Sequence, residues 1–105
     1  MNFKHDELKV YGHFSIIDFI SEEECKLIIN EAKTLEVDSS KVRVDILPSE
    51  YRVWNAEKVF PSIKKFLDSK PVEFCSNNLG LEPSFCIYNH IKPGEYGSGG
   101  GWHRD

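Results

Sequence analysis

Hydrophobic and polar positions change their spacing several times along this chain, and each change marks an expected element. Phe14 to Ile20 reads Phe-Ser-Ile-Ile-Asp-Phe-Ile, rich in aromatic and β-branched residues, and predicts a strand. Ser21 follows as an N-cap with Glu24 three residues on, a capping box, while Ile20 and Cys25 on either side supply a hydrophobic staple. Cys25, Ile28, Ile29, Ala32 and Leu35 then recur at helical spacing, which predicts a helix over roughly residues 21–36 with one apolar stripe. Its Glu22-Glu23-Glu24 start suits the helix dipole and reads as a solvated first turn. Val42, Val44 and Ile46 alternate with Arg43 and Asp45, the pattern of a half-buried strand ending at Pro48. Val59, Phe60, Ile63, Phe66 and Leu67 trace a second helix, with Pro61 either near its start or kinking it. Pro71 opens a further short helix for which Gly80 is the natural C-cap. A last strand, Phe85 to Ile91, turns Phe85, Ile87 and Asn89 one way and Cys86, Tyr88 and His90 the other.

Composition narrows the class. With 105 residues and no repeat, low-complexity tract or linker, residues 1–105 are expected to form a single unit. A hydrophobic content of 40% with 29% charged residues is ordinary for a soluble globular protein, and a net charge of -4 offers no basic footprint for nucleic acid. Met1 to Asp6 lacks the apolar run of a signal peptide and no stretch approaches a membrane span, so a cytoplasmic protein is expected. Cys25, Cys75 and Cys86 are spaced unlike a zinc framework and sit among apolar neighbours, as small buried hydrophobes do. Trp54 and Trp102 read as core or rim aromatics.

The candidate chemistry lies behind the glycine run Gly97-Ser98-Gly99-Gly100-Gly101. On an extended strand His103 and Asp105 share one side, because side chains alternate, while Trp102 and Arg104 take the other. One metal ion could meet both, and the open-site pattern that uses such a pair is the two-His, one-carboxylate facial triad. Five of the seven glycines fall between Gly94 and Gly101, where backbone must turn tightly or approach something closely. A phosphate loop is excluded, since Trp102 and His103 stand where Lys and Ser or Thr would be needed. The kinase His-Arg-Asp loop is excluded too, because no glycine-rich nucleotide loop precedes it. His5 and His13 belong to the N-terminal lead-in and are expected to face solvent. His90 shares a side with Tyr88 and is open to three roles: third ligand, substrate-side group or structural residue.

The stretch from Tyr88 to Asp105 resembles the start of the catalytic core of 2-oxoglutarate- and Fe(II)-dependent dioxygenases, the prolyl 4-hydroxylase-like branch in particular. Phe14 to Ile20 followed by Ser21-Glu22-Glu23-Glu24-Cys25 is similar to that family's opening strand and first helix, so the resemblance runs from about Lys9 to Asp105. It implies an α+β fold in which N-terminal helices pack on the first strands of a double-stranded β-helix, or jelly-roll, incomplete in this chain. His103 and Asp105 would be the metal ligands and Tyr88 the hydroxyl that reaches the co-substrate carboxylate. The implied cofactors are Fe(II) and 2-oxoglutarate, with ascorbate as an accessory reductant, and the substrate a protein residue or a small molecule. Family members carry a second His and then an Arg or Lys beyond the His-Xaa-Asp strand. A missing C-terminal half or a companion chain is therefore expected to supply them, and the 105-residue chain is expected to be inactive alone, with open edges and exposed apolar surface. Two alternatives stand beside this: a non-catalytic binding or assembly module derived from the fold, and a cupin-like metal protein that does not use 2-oxoglutarate.

Overall fold

A computed structural model of the chain describes residues 2–94 and shows an α+β fold. Among the described residues the elements run α1 (His5–Tyr11), α2 (Glu22–Thr34), β1 (Val44–Ile46), β2 (Glu50–Val53), a 3-10 turn (Ala56–Lys58), α3 (Pro61–Leu67), α4 (Lys70–Leu79) and β3 (Tyr88–Ile91). The strands form one antiparallel sheet in the order β1-β2-β3. β1 and β2 are a hairpin closed by Leu47 N–H on Glu50 C=O at 2.9 Å, whereas β3 reaches β2 only after the 3-10 turn and two helices.

The helices begin and end where local chemistry dictates. Ser21 Oγ accepts the Glu24 backbone N–H at 3.1 Å and so satisfies one of the orphan donors at the start of α2. The capping box is only half formed, because the Ser21 hydroxyl donates to Glu24 Oε1 at 3.0 Å in place of Glu24 reaching back to the Ser21 N–H. Pro61 takes the first turn of α3 without kinking it, where its missing N–H costs no hydrogen bond. Pro71 does the same in α4, and Gly80 ends that helix at φ 66°, a left-handed conformation that favours glycine.

The core is small and sits on one side of the sheet. Val42, Val53, Ala56, Phe60 and Ile63 are its buried apolar members, with Ile28 of α2, Val44, Tyr51, Cys86 and Tyr88 packed around them. Phe60 is 1% exposed and its ring meets that of Tyr88 edge-on at 5.6 Å between centroids. Glu31 of α2 accepts both the backbone N–H (3.0 Å) and the hydroxyl (2.9 Å) of Ser62, which caps the start of α3 from across the helix pair.

One expectation is overturned, the strand expected from Phe85 to Ile91 is confined to Tyr88–Ile91, and two elements were not foreseen. Phe14 to Ile20 is not a strand: Asp18 takes a positive φ of 56°, breaking the extended run, and the apolar residues act as separate anchors. Phe14 packs on Phe3 at 4.8 Å and Phe19 on Phe66 at 6.2 Å between centroids. β2 was not expected, since Glu50-Tyr51-Arg52-Val53 sets two charges in a four-residue run behind Pro48. The lead-in that holds His5 is helical, and its α1 is tied to α4 by His5 Nε2 at 3.2 Å from Asn78 Oδ1 and by Phe3 against Phe74. His5 and His13 are exposed, as anticipated.

Candidate functional site

The strand register sorts the chemistry-bearing side chains onto two faces. Cross-strand partners share a face, so Val44, Val53 and Tyr88 form one row and Ile46, Tyr51 and His90 the next, both on the side of the core. Asp45, Arg52 and Asn89 form a row on the opposite side, where Glu50 and Ile91 also pair.

Tyr88 therefore stands on the face that packs against Phe60. Its ring also approaches Tyr51, at 6.5 Å between centroids, and its hydroxyl lies 3.4 Å from His90 Nδ1, at the long end of hydrogen-bonding range. The expected juxtaposition of Tyr88 and His90 is present. Burial, with a smaller effect from Tyr51, pushes the Tyr88 phenol above its ordinary value, so it stays protonated and able to donate through neutral pH. Nearby, burial and then the Glu57 carboxylate push the Cys86 thiol up. Glu57 Oε1 accepts the Cys86 backbone N–H at 2.9 Å, and Ala56 N–H donates to Cys86 C=O at 2.8 Å, so the 3-10 turn holds the chain just before β3 in place. Cys25, Cys75 and Cys86 are free thiols, half-buried as small hydrophobes often are.

The opposite face is polar and pre-ordered. Asp45 accepts from Trp54 Nε1 at 2.9 Å and from Arg43 Nε at 3.0 Å, and these two donors hold its carboxyl below the usual range, the indole contributing most. The Arg43 guanidinium lies 4.7 Å from the Trp54 ring centroid, and Phe85 stacks against the same indole at 6.5 Å. Arg52 donates to Glu50 Oε1 at 2.7 Å, and Glu50 is buried at 1% exposure despite its charge. Asn89 is exposed at the end of its row. Sequence reasoning missed Trp54 as Asp45's partner, which follows from the β1–β2 hairpin, and Arg52 with Glu50, two residues apart on β2, because that run was not read as a strand. The available signal was the Pro48-Ser49 break between two alternating runs.

His103 and Asp105, the candidate metal ligands, lie outside the described residues, as do Tyr96, Trp102 and Arg104. Among the described residues there is no group of three or more His, Cys, Asp or Glu side chains that could hold a metal ion. A separate concavity of about 310 Å³ lies between the end of α3, α4 and residues 81–83, with Leu67, Val72, Leu81 and Pro83 below Asp68, Glu73 and Glu82. Asp68 is already paired with Lys64 at 3.0 Å. Among the described residues no helix is long and apolar enough to cross a membrane. Comparison with protein families, curated proteins and solved structures found no match.

Proposed function

We propose that this chain contributes the His-Xaa-Asp part of a 2-oxoglutarate- and Fe(II)-dependent dioxygenase, built on the first strands of a jelly-roll. What supports this most is the order strand, tight turn, glycine-rich segment, His103-Arg104-Asp105. β3 ends at Ile91, Gly94 turns the chain at φ 79°, and the glycines lead directly to a His and a carboxylate at strand spacing. Iron held there would supply the oxidising chemistry for hydroxylating a C–H bond. His103 and Asp105 would hold it, leaving positions open for 2-oxoglutarate and O2, with ascorbate keeping it reduced.

A facial triad needs a third donor, and a buried dicarboxylate needs a paired cation. His90 sits on the core-facing side with Tyr88, so a third ligand from a companion polypeptide or a further segment fits the proposal better. The sequence nominates Tyr88 for the co-substrate carboxylate. Its ring is committed to packing on Phe60 and Tyr51, which leaves only the hydroxyl for such a contact.

The test is metal binding followed by turnover. The chain, mixed with Mn(II) as a redox-silent substitute for Fe(II), should show saturable binding that His103→Ala and Asp105→Ala each remove. Succinate formation from 2-oxoglutarate should appear only once the segment carrying the second His is present. Binding that survives both substitutions, or none in the unsubstituted chain, sinks the proposal in favour of a non-catalytic binding module. Several large apolar residues are exposed in keeping with that second reading, among them Ile46 at 81%. Metal-dependent oxidation without any need for 2-oxoglutarate would favour a cupin-like protein instead.

A further inference from the structure

α4 ends in a left-handed turn at Gly80, and the chain then doubles back so that Leu81 N–H donates to Ser76 C=O at 3.1 Å. That return lays residues 81–83 beside α4 and closes one side of the concavity of about 310 Å³, whose other side is the end of α3. We propose that this concavity is a docking site for a basic segment of another polypeptide, and that it takes an arginine with an apolar residue beside it. None of its residues belongs to the dioxygenase reading, so the site stands or falls by itself.

Shape and charge carry this together. Leu67 and Val72 line the concavity half-buried, while Leu81 is 65% exposed there although its backbone is held by the turn. Asp68, Glu73 and Glu82 stand around this apolar patch, and no lysine or arginine lines the concavity. Asp68 is offset by Lys64 at 3.0 Å, whereas Glu73 and Glu82 form no ion pair among the described residues. A carboxylate or phosphate arriving here is repelled by all three carboxylates; a cation is attracted. The apolar patch then decides which cation. A compact, strongly hydrated ion leaves it uncovered, but a guanidinium is weakly hydrated, meets carboxylates with paired N–H donors, and has a methylene stem that covers apolar surface. An apolar neighbour in the same peptide adds area buried at Leu81. A polyamine matches the charge as well, but it has no apolar side chain to set against Leu81 and Val72.

The probe is acetyl-Leu-Arg-Leu-amide, titrated into the isotope-labelled full chain and followed by NMR at Val72, Leu81 and Glu82. These signals should shift saturably, and the neutral counterpart acetyl-Leu-Gln-Leu-amide should need a concentration at least about fivefold higher. Glu73 and Glu82 are exposed, so their loss spares the fold. Glu73→Gln and Glu82→Gln should each raise the arginine peptide's half-saturation about two- to fivefold and leave that of the glutamine peptide unchanged. Leu81→Ser should weaken both peptides alike. Glu23→Gln removes an exposed carboxylate from α2, outside the concavity, and should change nothing, which separates docking from general attraction to a chain of net charge -4. No saturable shift, equal half-saturation for the two peptides, insensitivity to both concavity variants, or an equal loss with Glu23→Gln would overturn the proposal. Spermidine binding as tightly as the arginine peptide would overturn it too, since charge alone would then suffice. So would shifts that follow protein concentration without any peptide, since a second copy would then fill the site. His103→Ala should leave every peptide titration intact whatever it does to metal binding, so failure of one proposal can be told from failure of the other.

Discussion

Asp45 sits between an indole N–H and a guanidinium, both of which favour its charged form. Its folded-state pKa is therefore lower than that of the unfolded chain, where an aspartate titrates near about 3.9. The sign follows: the stabilisation is fully present above about pH 4 and is lost as the pH falls through the lower, folded value. Asp45→Asn should accordingly flatten the fall in melting temperature below about pH 4 relative to the unsubstituted chain, measured by thermal denaturation followed at Trp54. An unaltered acid limb would mean that the Trp54 and Arg43 contacts do not form in solution. At this scale the sequence was legible only where chemistry is local. The Tyr88–His90 pairing shows by alternation, whereas the expected ligands His103 and Asp105 lie outside the described residues. A partnership such as Trp54 with Asp45 depends on how two strands are brought together, which no single residue type reports, and Arg52 with Glu50, two apart on β2, was hidden because that run was not read as a strand.

Elements whose boundaries are set by their own residues were legible. α2 carries its cap at Ser21 and its stripe through Ile28, α3 starts on Pro61, and α4 is bracketed by Pro71 and Gly80. Ser21→Ala removes the acceptor for the Glu24 N–H and should destabilise the protein by about 1 kcal/mol in urea denaturation, with an unchanged m value. A loss well below that would show that the exposed first turn is satisfied by water. Strands were harder to read, because a strand exists only if another pairs with it. Phe14 to Ile20 has the composition of a strand, yet its aromatic rings pack on Phe3 ahead of α1 and on Phe66 of α3, and Ile17 is left 87% exposed. β2 has the opposite history: a short, charged run becomes the central strand because β1 and β3 both pair with it.

Among the described residues the core has few members, and Phe60 is the largest of them that is fully buried. It joins the 3-10 turn, α3 and the sheet in one contact set. Phe60→Ala should cost about 3 to 5 kcal/mol, a large fraction of what a small domain possesses. Chemical denaturation should show a much lower midpoint or no folded baseline, and a near-normal midpoint would relocate the core. Several apolar side chains stay exposed beside it, Val10, Leu27 and Ile46 on their elements and Leu81 after α4 among them. Their hydrophobic pattern was legible in the sequence, but what would cover them was not, since burial depends on everything that surrounds a side chain.

The long excursion between β2 and β3 has a kinetic consequence. The β1–β2 hairpin closes over three residues and can form in microseconds, while β3 can add to β2 only after the chain has travelled through the 3-10 turn, α3 and α4 and come back. That return is a non-local contact whose loop-closure entropy is met before any of its rewards. The rate-limiting barrier should therefore lie at the docking of β3, with α3 and Phe60 already collapsed on the hairpin. Amides of β3 would gain protection from exchange last, leaving the sheet's third strand as the part of this protein that newly made chains acquire late and stressed chains release first.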